Sequence, residues 1–142
     1  MTPANIDRKV ITQRAAWIRD MMGALSELPL KNKKSFIRNR RNVAAAESYL
    51  RRSLEALFDI GRHILAKRFA IPATEYKEIA RALLVKKILN EDEAELMRKM
   101  AGYRNRMVHF YHEISPEELH EICLNHLDEI RLLLDRMLQS IK

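Results

Sequence analysis

A stripe of residues between about residues 34 and 69, apolar up to its last member, constrains the fold more than any other feature of the sequence. Its members recur at spacings of three, four or seven, as they would along one side of an α-helix: Val43, Leu50, Leu54, Leu57, Gly61, Ile64 and Arg68. The pattern predicts one long helix with room for a kink near its start, and Pro72 ends it. Gly61 inside the stripe indicates that another helix approaches closely there.

Four more helices are predicted around this segment. The first covers about residues 5 to 26 and stops before Pro29, and its inward stripe is Ile6, Val10, Trp17, Met21 and Leu25. The three that follow the long helix have recognisable start signals: Thr74 as a cap for a helix to about Leu89, an Asn90–Glu93 capping box, and the run Ser115-Pro116-Glu117-Glu118.

The inward positions of these last three helices follow the same spacing. They are Ile79, Leu83 and Ile88, then Ala94, Met97 and Ala101, then Leu119, Ile122, Cys123, Ile130, Leu133, Leu134, Met137 and Ile141. The composition agrees with long helices, because the chain is 47% hydrophobic and 32% charged with only three Gly and four Pro. We expect residues 1–142 to form a single all-α domain, an antiparallel bundle of about five helices.

Composition also limits the location and the partners. No apolar run approaches the ~20 residues that span a bilayer, and the N-terminus has no signal-peptide core, so we expect no membrane association and a cytoplasmic protein. The single Cys123 excludes an intramolecular disulfide. The formal net charge of +7 indicates an anionic partner, either a nucleic acid or an acidic protein.

The segment from Lys31 to Arg41 holds six basic residues in eleven positions and no acid. It can bind the phosphates of a nucleic acid, or it can be a solvated helix face, and charge alone does not choose between these readings. The candidate binding residues are Lys33, Lys34, Arg38, Arg40 and Arg41.

The stretch with the most specific chemistry is Tyr103-Arg104-Asn105-Arg106-Met107-Val108-His109-Phe110-Tyr111. Histidine titrates near pH ~6.5 and can transfer a proton at neutral pH, whereas arginine stays charged and fits phosphate oxygens. The pair suits metal-free RNA cleavage, in which a base activates a 2′-hydroxyl and a cation stabilises charge on phosphorus. An arginine and a histidine five residues apart are also common on ordinary helices.

The two residues do not face each other on one ideal helix. Arg104 and His109 are roughly 140° apart around the axis. A site that uses both therefore needs the reach of the arginine, a helix end near His109, or a second copy of the chain. His109 with His112 and Glu113 is too small a set at no recognised zinc spacing, so we expect no metal and no cofactor.

With this motif at the C-terminal end of the fourth helix, the chain resembles the HepT-like toxins of the HEPN superfamily over nearly its whole length. The family pattern is arginine, four residues, histidine, any residue, tyrosine, and Arg104, His109 and Tyr111 satisfy it. Asn105 fits the polar residue usually found after the arginine, and the long second helix with Asp59-Ile60-Gly61-Arg62-His63-Ile64 also matches.

The resemblance implies a metal-independent endoribonuclease that is the toxin of a toxin–antitoxin pair. It implies a homodimer whose two motifs share one cleft, with His109 transferring the proton, Arg104 binding the phosphate and Asn105 orienting the histidine or the phosphate. It also implies an MNT-type nucleotidyltransferase antitoxin that transfers AMP to Tyr111. Two rivals remain: a non-enzymatic helical subunit of a nucleotidyltransferase, and a DNA-binding protein suggested by charge alone.

Overall fold

The computed structural model describes residues 5–109 and 114–142, and over these residues the chain forms seven helices and no strand. The helices are α1 (Arg8–Ser26), α2 (Lys33–Arg38), α3 (Arg40–Phe69), α4 (Tyr76–Val85), α5 (Glu91–Val108), α6 (Pro116–Asn125) and α7 (Leu127–Ser140). The long helix α3 packs against each of the other six. The predicted all-α bundle is confirmed, with α3 as its central element.

The predicted number of about five helices is too low, because two predicted helices are each broken once. The segment near residues 34–69 is interrupted at Asn39, which has an extended backbone and whose side chain accepts a hydrogen bond from the Arg41 N–H (2.9 Å). The last helix is interrupted at His126. At Asn39 the side-chain cap replaces a helical backbone bond, so a new helix starts without a proline or glycine.

The predicted bounds of α4 are also wrong. The helix follows Glu75 instead of Thr74, and the Glu78 carboxylate accepts a hydrogen bond from the Glu75 N–H (3.3 Å). It ends at Val85 because Lys87 has a left-handed backbone (φ 62°), which lets the Ile88 N–H return to the Leu83 carbonyl. The other two start signals are confirmed: Asn90 and Glu93 form a capping box, and Ser115 caps α6.

The core contains every inward position predicted for the last three helices. Gly61 is confirmed as a point of close approach, since an added Cβ there would lie 3.0 Å from Ile79 Cγ2 and 3.1 Å from Leu83 Cδ1. Burial raises the pKa of the Cys123 thiol to about 12, as expected for a core residue. None of the helices formed by residues 5–109 and 114–142 is long and apolar enough to cross a membrane.

The prediction that Trp17 faces the core is wrong. Its side chain is 41% exposed. The buried stripe of α1 is instead Ile11, Ala15, Ile18, Met21, Met22 and Leu25. Apolar residues occur on both sides of this stripe, so the spacing alone allowed Trp17 and its neighbour Ile18 equally.

Candidate functional site

The end of α5 brings the predicted catalytic residues together. The helix stops at Val108, and His109 has an extended backbone (φ −85°, ψ 126°) while its N–H still donates to the Asn105 carbonyl (3.0 Å). The ψ of His109 turns only the chain that follows it, so His109 itself stays one turn after Asn105 on the same side of the helix. Arg104, Asn105 and His109 all line one cleft of about 760 Å³. The other walls come from α3 and from the start of α4, and they include Arg62, Tyr76 and Lys77.

Arg104 is held from two sides. Oε2 of Glu55, in the middle of α3, accepts hydrogen bonds from Arg104 Nε (3.3 Å) and Nη2 (3.1 Å). The guanidinium carbon lies 4.6 Å from the ring centroid of Tyr76 at the start of α4, a cation–π contact. The Arg104 and Glu55 side chains are 27% and 29% exposed, so the pair is partly shielded from water. These contacts fix the position of a long side chain that would otherwise be mobile.

The two supports of Arg104 are themselves anchored. The second carboxylate oxygen of Glu55 accepts from Arg51 Nη1 (3.1 Å) one turn earlier on α3. The Tyr76 ring stacks on buried Phe58 with a centroid distance of 4.3 Å and an angle of 5° between the rings. Burial raises the pKa of the Tyr76 hydroxyl against the opposing effect of Arg104, so the ring stays neutral at physiological pH.

A second set of charged residues forms the edge of the cleft. Asp59, one turn after Glu55, contacts Arg62 Nη1 (3.3 Å) and Arg14 Nε of α1 (3.7 Å). Arg62 also donates to the Thr74 carbonyl (3.2 Å), which ties α3 to the segment that leads into α4. The edge of the cleft therefore carries alternating charges from two helices, α1 and α3.

An ion pair connects the end of α5 to the start of α6. Arg106 Nη1 donates to Glu118 Oε2 (2.6 Å), and Nη2 donates to Oε1 of the same carboxylate. The hydrogen bonds from Arg106 hold the pKa of the Glu118 carboxyl below its usual value. The two helix ends that flank residues 110–113 are thereby joined directly.

Comparison with known families decides what kind of chain this is. A family model described as HepT-like, ribonuclease HepT-like, matches residues 18–137. The chain belongs to the HepT-like family. A comparison with curated proteins gives no match.

Solved structures agree on the fold of this HepT-like chain. A tri-AMPylated HEPN toxin from Shewanella oneidensis, in complex with its MNT antitoxin, superimposes with a TM-score of 0.83 at 19% identity, covering 92% of this chain and 97% of that one. A toxin–antitoxin structure with AMP-PNP gives 0.81 at 19% identity over 90% and 97%. The cytosolic protein YutE of Bacillus subtilis, of unknown function, gives 0.78 at 18% identity over 96% and 91%.

Other predicted site residues of the HepT-like chain lie elsewhere or outside the described part. Tyr111, the predicted modification site, lies outside the described residues, as do His112 and Glu113. Within residues 5–109 and 114–142, no group of three His, Cys, Asp or Glu could hold a metal ion.

The basic segment does not line the cleft. Its candidate residues Lys33, Lys34, Arg38, Arg40 and Arg41 are all exposed and lie on α2 and the first turn of α3. Arg41 precedes Glu55 by 14 positions, which is roughly 21 Å along the helix. No carboxylate among the described residues lies within ion-pair distance of the five, so this surface and the cleft are separate features of one positively charged chain.

Sequence reasoning missed Glu55 and Tyr76, the two residues that hold Arg104. The one available signal is a charged row at spacings of four, four and three on α3, beside its apolar stripe: Arg51, Glu55, Asp59 and Arg62. Such rows are ordinary on exposed helices. Only the packing of α4 and α5 against α3 shows that this one faces a site.

Proposed function

We propose that this HepT-like protein is the toxin of a toxin–antitoxin pair and a metal-independent endoribonuclease. The observation that carries the proposal is the cleft in which Arg104, supported by Glu55 and Tyr76, shares a wall with Asn105 and His109. A fixed cation beside a histidine, a residue type that can take and return a proton, suits phosphodiester cleavage.

In the proposed reaction His109 takes the proton of an RNA 2′-hydroxyl. The 2′-oxygen then attacks the adjacent phosphorus, and the bond from phosphorus to the 5′-oxygen breaks. The products are a 2′,3′-cyclic phosphate and a 5′-hydroxyl, and the leaving oxygen takes its proton from an imidazolium or from water. Arg104 stabilises the extra negative charge on the non-bridging oxygens during the attack.

The contacts of Arg104 leave it able to bind a phosphate. Glu55 engages Nε and one hydrogen of Nη2, whereas Nη1 faces Asn105, whose Oδ1 is 3.5 Å away. An arginine has five N–H donors, so three remain for a phosphate and for Asn105. We assign Glu55 and Tyr76 as positioning residues and Asn105 as a group that orients the phosphate or the histidine.

We further propose that the active form is a homodimer and that an MNT-type nucleotidyltransferase is its inhibiting antitoxin. A dimer that opposes two clefts would gather two copies of Arg104 and of His109, and the second His109 could protonate the leaving oxygen. The structurally similar Shewanella toxin is AMPylated and bound to an MNT antitoxin. Sedimentation of the purified protein tests the dimer: a monomer at micromolar concentration would contradict it.

Inhibition by the antitoxin follows from the position of Tyr111, two residues after His109. The tyrosine oxygen would attack the α-phosphorus of ATP, and pyrophosphate would leave. The product adds a negative charge and a nucleotide to the motif, and both oppose RNA binding. Co-expression with a cognate nucleotidyltransferase should add AMP to the Tyr111 peptide, detected by mass spectrometry, and Tyr111→Phe should abolish the addition.

Growth assays separate the toxin from the rival reading, a non-enzymatic subunit of a nucleotidyltransferase. Expression should arrest growth, and His109→Ala should relieve the arrest in a protein that still folds and dimerises. Arrest that persists in this variant would favour the rival.

The basic residues of α2 and early α3 are proposed to bind RNA or the antitoxin. Neutralising Lys33, Lys34 and Arg38 should weaken RNA binding and reduce its salt dependence if RNA is the partner. Unchanged binding would leave the antitoxin as the partner or return the segment to an ordinary solvated face.

A further inference from the structure

Trp17 is the only tryptophan of the chain, and it is exposed on α1 instead of buried. It lines a groove of about 240 Å³ between α1 and α3, together with Arg14, Arg52, Glu55, Ala56 and Asp59. Exposing the largest side chain in the protein costs part of the free energy that its burial would contribute. A groove that keeps it exposed is therefore a candidate contact surface.

This groove adjoins the proposed active site. Glu55 connects the two, because it lines the groove while its Oε2 holds Arg104 of the cleft. Asp59 likewise lines the groove and contacts Arg62, which lines the cleft. A single-stranded RNA bound at Arg104 would reach Trp17 by passing over this row of α3.

The charges of the groove distinguish Arg52 from its neighbours. Glu55 is neutralised by Arg51 and Arg104, and Asp59 by Arg14 and Arg62. Arg52 has no carboxylate within 4.0 Å among the described residues and is exposed. The groove thus combines an aromatic ring with a guanidinium that is not neutralised, and this pairing is what single-stranded nucleic acids use for base stacking and phosphate contact.

We propose that Trp17 and Arg52 form a nucleobase subsite for the RNA substrate, an inference that rests on the proposed function. The base of a nucleotide next to the cleaved bond stacks on Trp17, and Arg52 binds its phosphate. A second copy of the chain fits this surface less well. Four of its six lining residues are charged, and a protein–protein contact here would bury the charge of Arg52 without a partner.

The single tryptophan makes the subsite directly observable. The probe is a fluorescein-labelled 2′-O-methyl oligoribonucleotide, which has no 2′-hydroxyl to attack and therefore stays intact on the wild-type dimer. Binding is measured by anisotropy of the label. In a second titration, the same oligonucleotide without its label is added to the protein while Trp17 emission is recorded. We expect saturable quenching with the dissociation constant given by anisotropy.

Substitutions at the same position separate stacking from bulk. Trp17→Leu should weaken oligonucleotide binding by roughly 5- to 100-fold, the range for loss of one base stack, whereas Trp17→Phe should stay within about threefold. A purely structural apolar contact would not distinguish Leu from Phe in this way. Arg52→Gln should weaken binding and lower its salt dependence, whereas Arg19→Gln, elsewhere on exposed α1, should do so much less.

Three results would overturn the inference. If the oligonucleotide binds the wild type without changing Trp17 emission, and binds Trp17→Leu with wild-type affinity, RNA binding stands but the base lies elsewhere. Emission that changes with protein concentration and not with oligonucleotide would assign Trp17 to a contact between copies. No binding by the wild-type protein would contradict RNA recognition itself, and the subsite with it.

Discussion

Replacing Glu55 by glutamine tests the role assigned to the residue that positions Arg104. The substitution keeps the size of the side chain and removes its charge. One Glu55 oxygen accepts from two nitrogens of Arg104, at 3.3 and 3.1 Å, while the other accepts from Arg51 at 3.1 Å. A glutamine offers one oxygen and one NH₂, so it cannot accept from both arginines. Either Arg104 or Arg51 would then face the NH₂ of the glutamine, which is a donor, instead of an oxygen that accepts.

The effect on stability and the effect on activity should differ in size. The side chains involved are between 27% and 31% exposed, so each ion pair contributes at most about 1 kcal/mol and the loss of both lowers stability by less than about 2 kcal/mol. In contrast, a displaced transition-state cation typically costs about 10- to 100-fold in rate. Glu55→Gln should therefore cleave RNA about 10- to 100-fold more slowly while its melting temperature falls by only several degrees.

The assay is the rate of RNA cleavage at saturating protein, measured beside thermal unfolding. Glu95→Gln is the matched control, because Glu95 forms an ion pair with Arg98 at 2.7 Å on the exposed side of α5 and does not line the cleft. Cleavage by Glu55→Gln within about twofold of wild type, or faster, would refute the positioning role. An equal loss in Glu95→Gln would show that the effect is not specific to the cleft.

Two further predictions concern the scaffold. Gly61→Val should lower the free energy of unfolding by about 1–3 kcal/mol because its side chain would meet Ile79 and Leu83. Gly23 has open space around it, so Gly23→Ala should raise the free energy of unfolding by roughly 0.5–1 kcal/mol. Denaturant unfolding of the two variants measures both changes. Burial lowers the pKa of His63, helped by Lys67 and opposed by Asp7, and its Nε2 accepts the Asp7 N–H at 3.0 Å. The folded state then binds fewer protons than the unfolded state below about pH 6.5. The contribution of His63 to stability is therefore full above that pH and is lost as the pH decreases. Between pH 7.5 and 5.5 the melting temperature of His63→Gln should fall less than that of the wild type.

The fold was predictable from the sequence wherever burial and capping agreed. The apolar stripe of α3 and the inward residues of the last helices follow from spacing because a helix must bury one face. The Asn90–Glu93 capping box follows from the residue types at its two positions. The sequence allowed a kink near the start of the long helix but not its position at Asn39, since a side-chain cap inside an apolar pattern leaves the spacing intact. The break at His126, which has no side-chain cap, was not predicted. The choice between Trp17 and Ile18 also depended on packing.

The candidate site was predictable only in part. The motif supplied Arg104, Asn105 and His109, but the cleft that they line also takes walls from α3 and the start of α4. Glu55 and Tyr76 could not be found, because they are 49 and 28 positions away from Arg104 in the sequence and ordinary in type. Their relation to the motif exists only after α3, α4 and α5 pack together.

The most direct test of the account is incubation of purified, unmodified protein with total cellular RNA in EDTA, beside His109→Ala. The account predicts discrete fragments ending in 2′,3′-cyclic phosphate from the wild type and none from the variant. Intact RNA in the wild-type reaction, with mass spectrometry showing that Tyr111 is unmodified, would contradict the account and favour the non-enzymatic subunit.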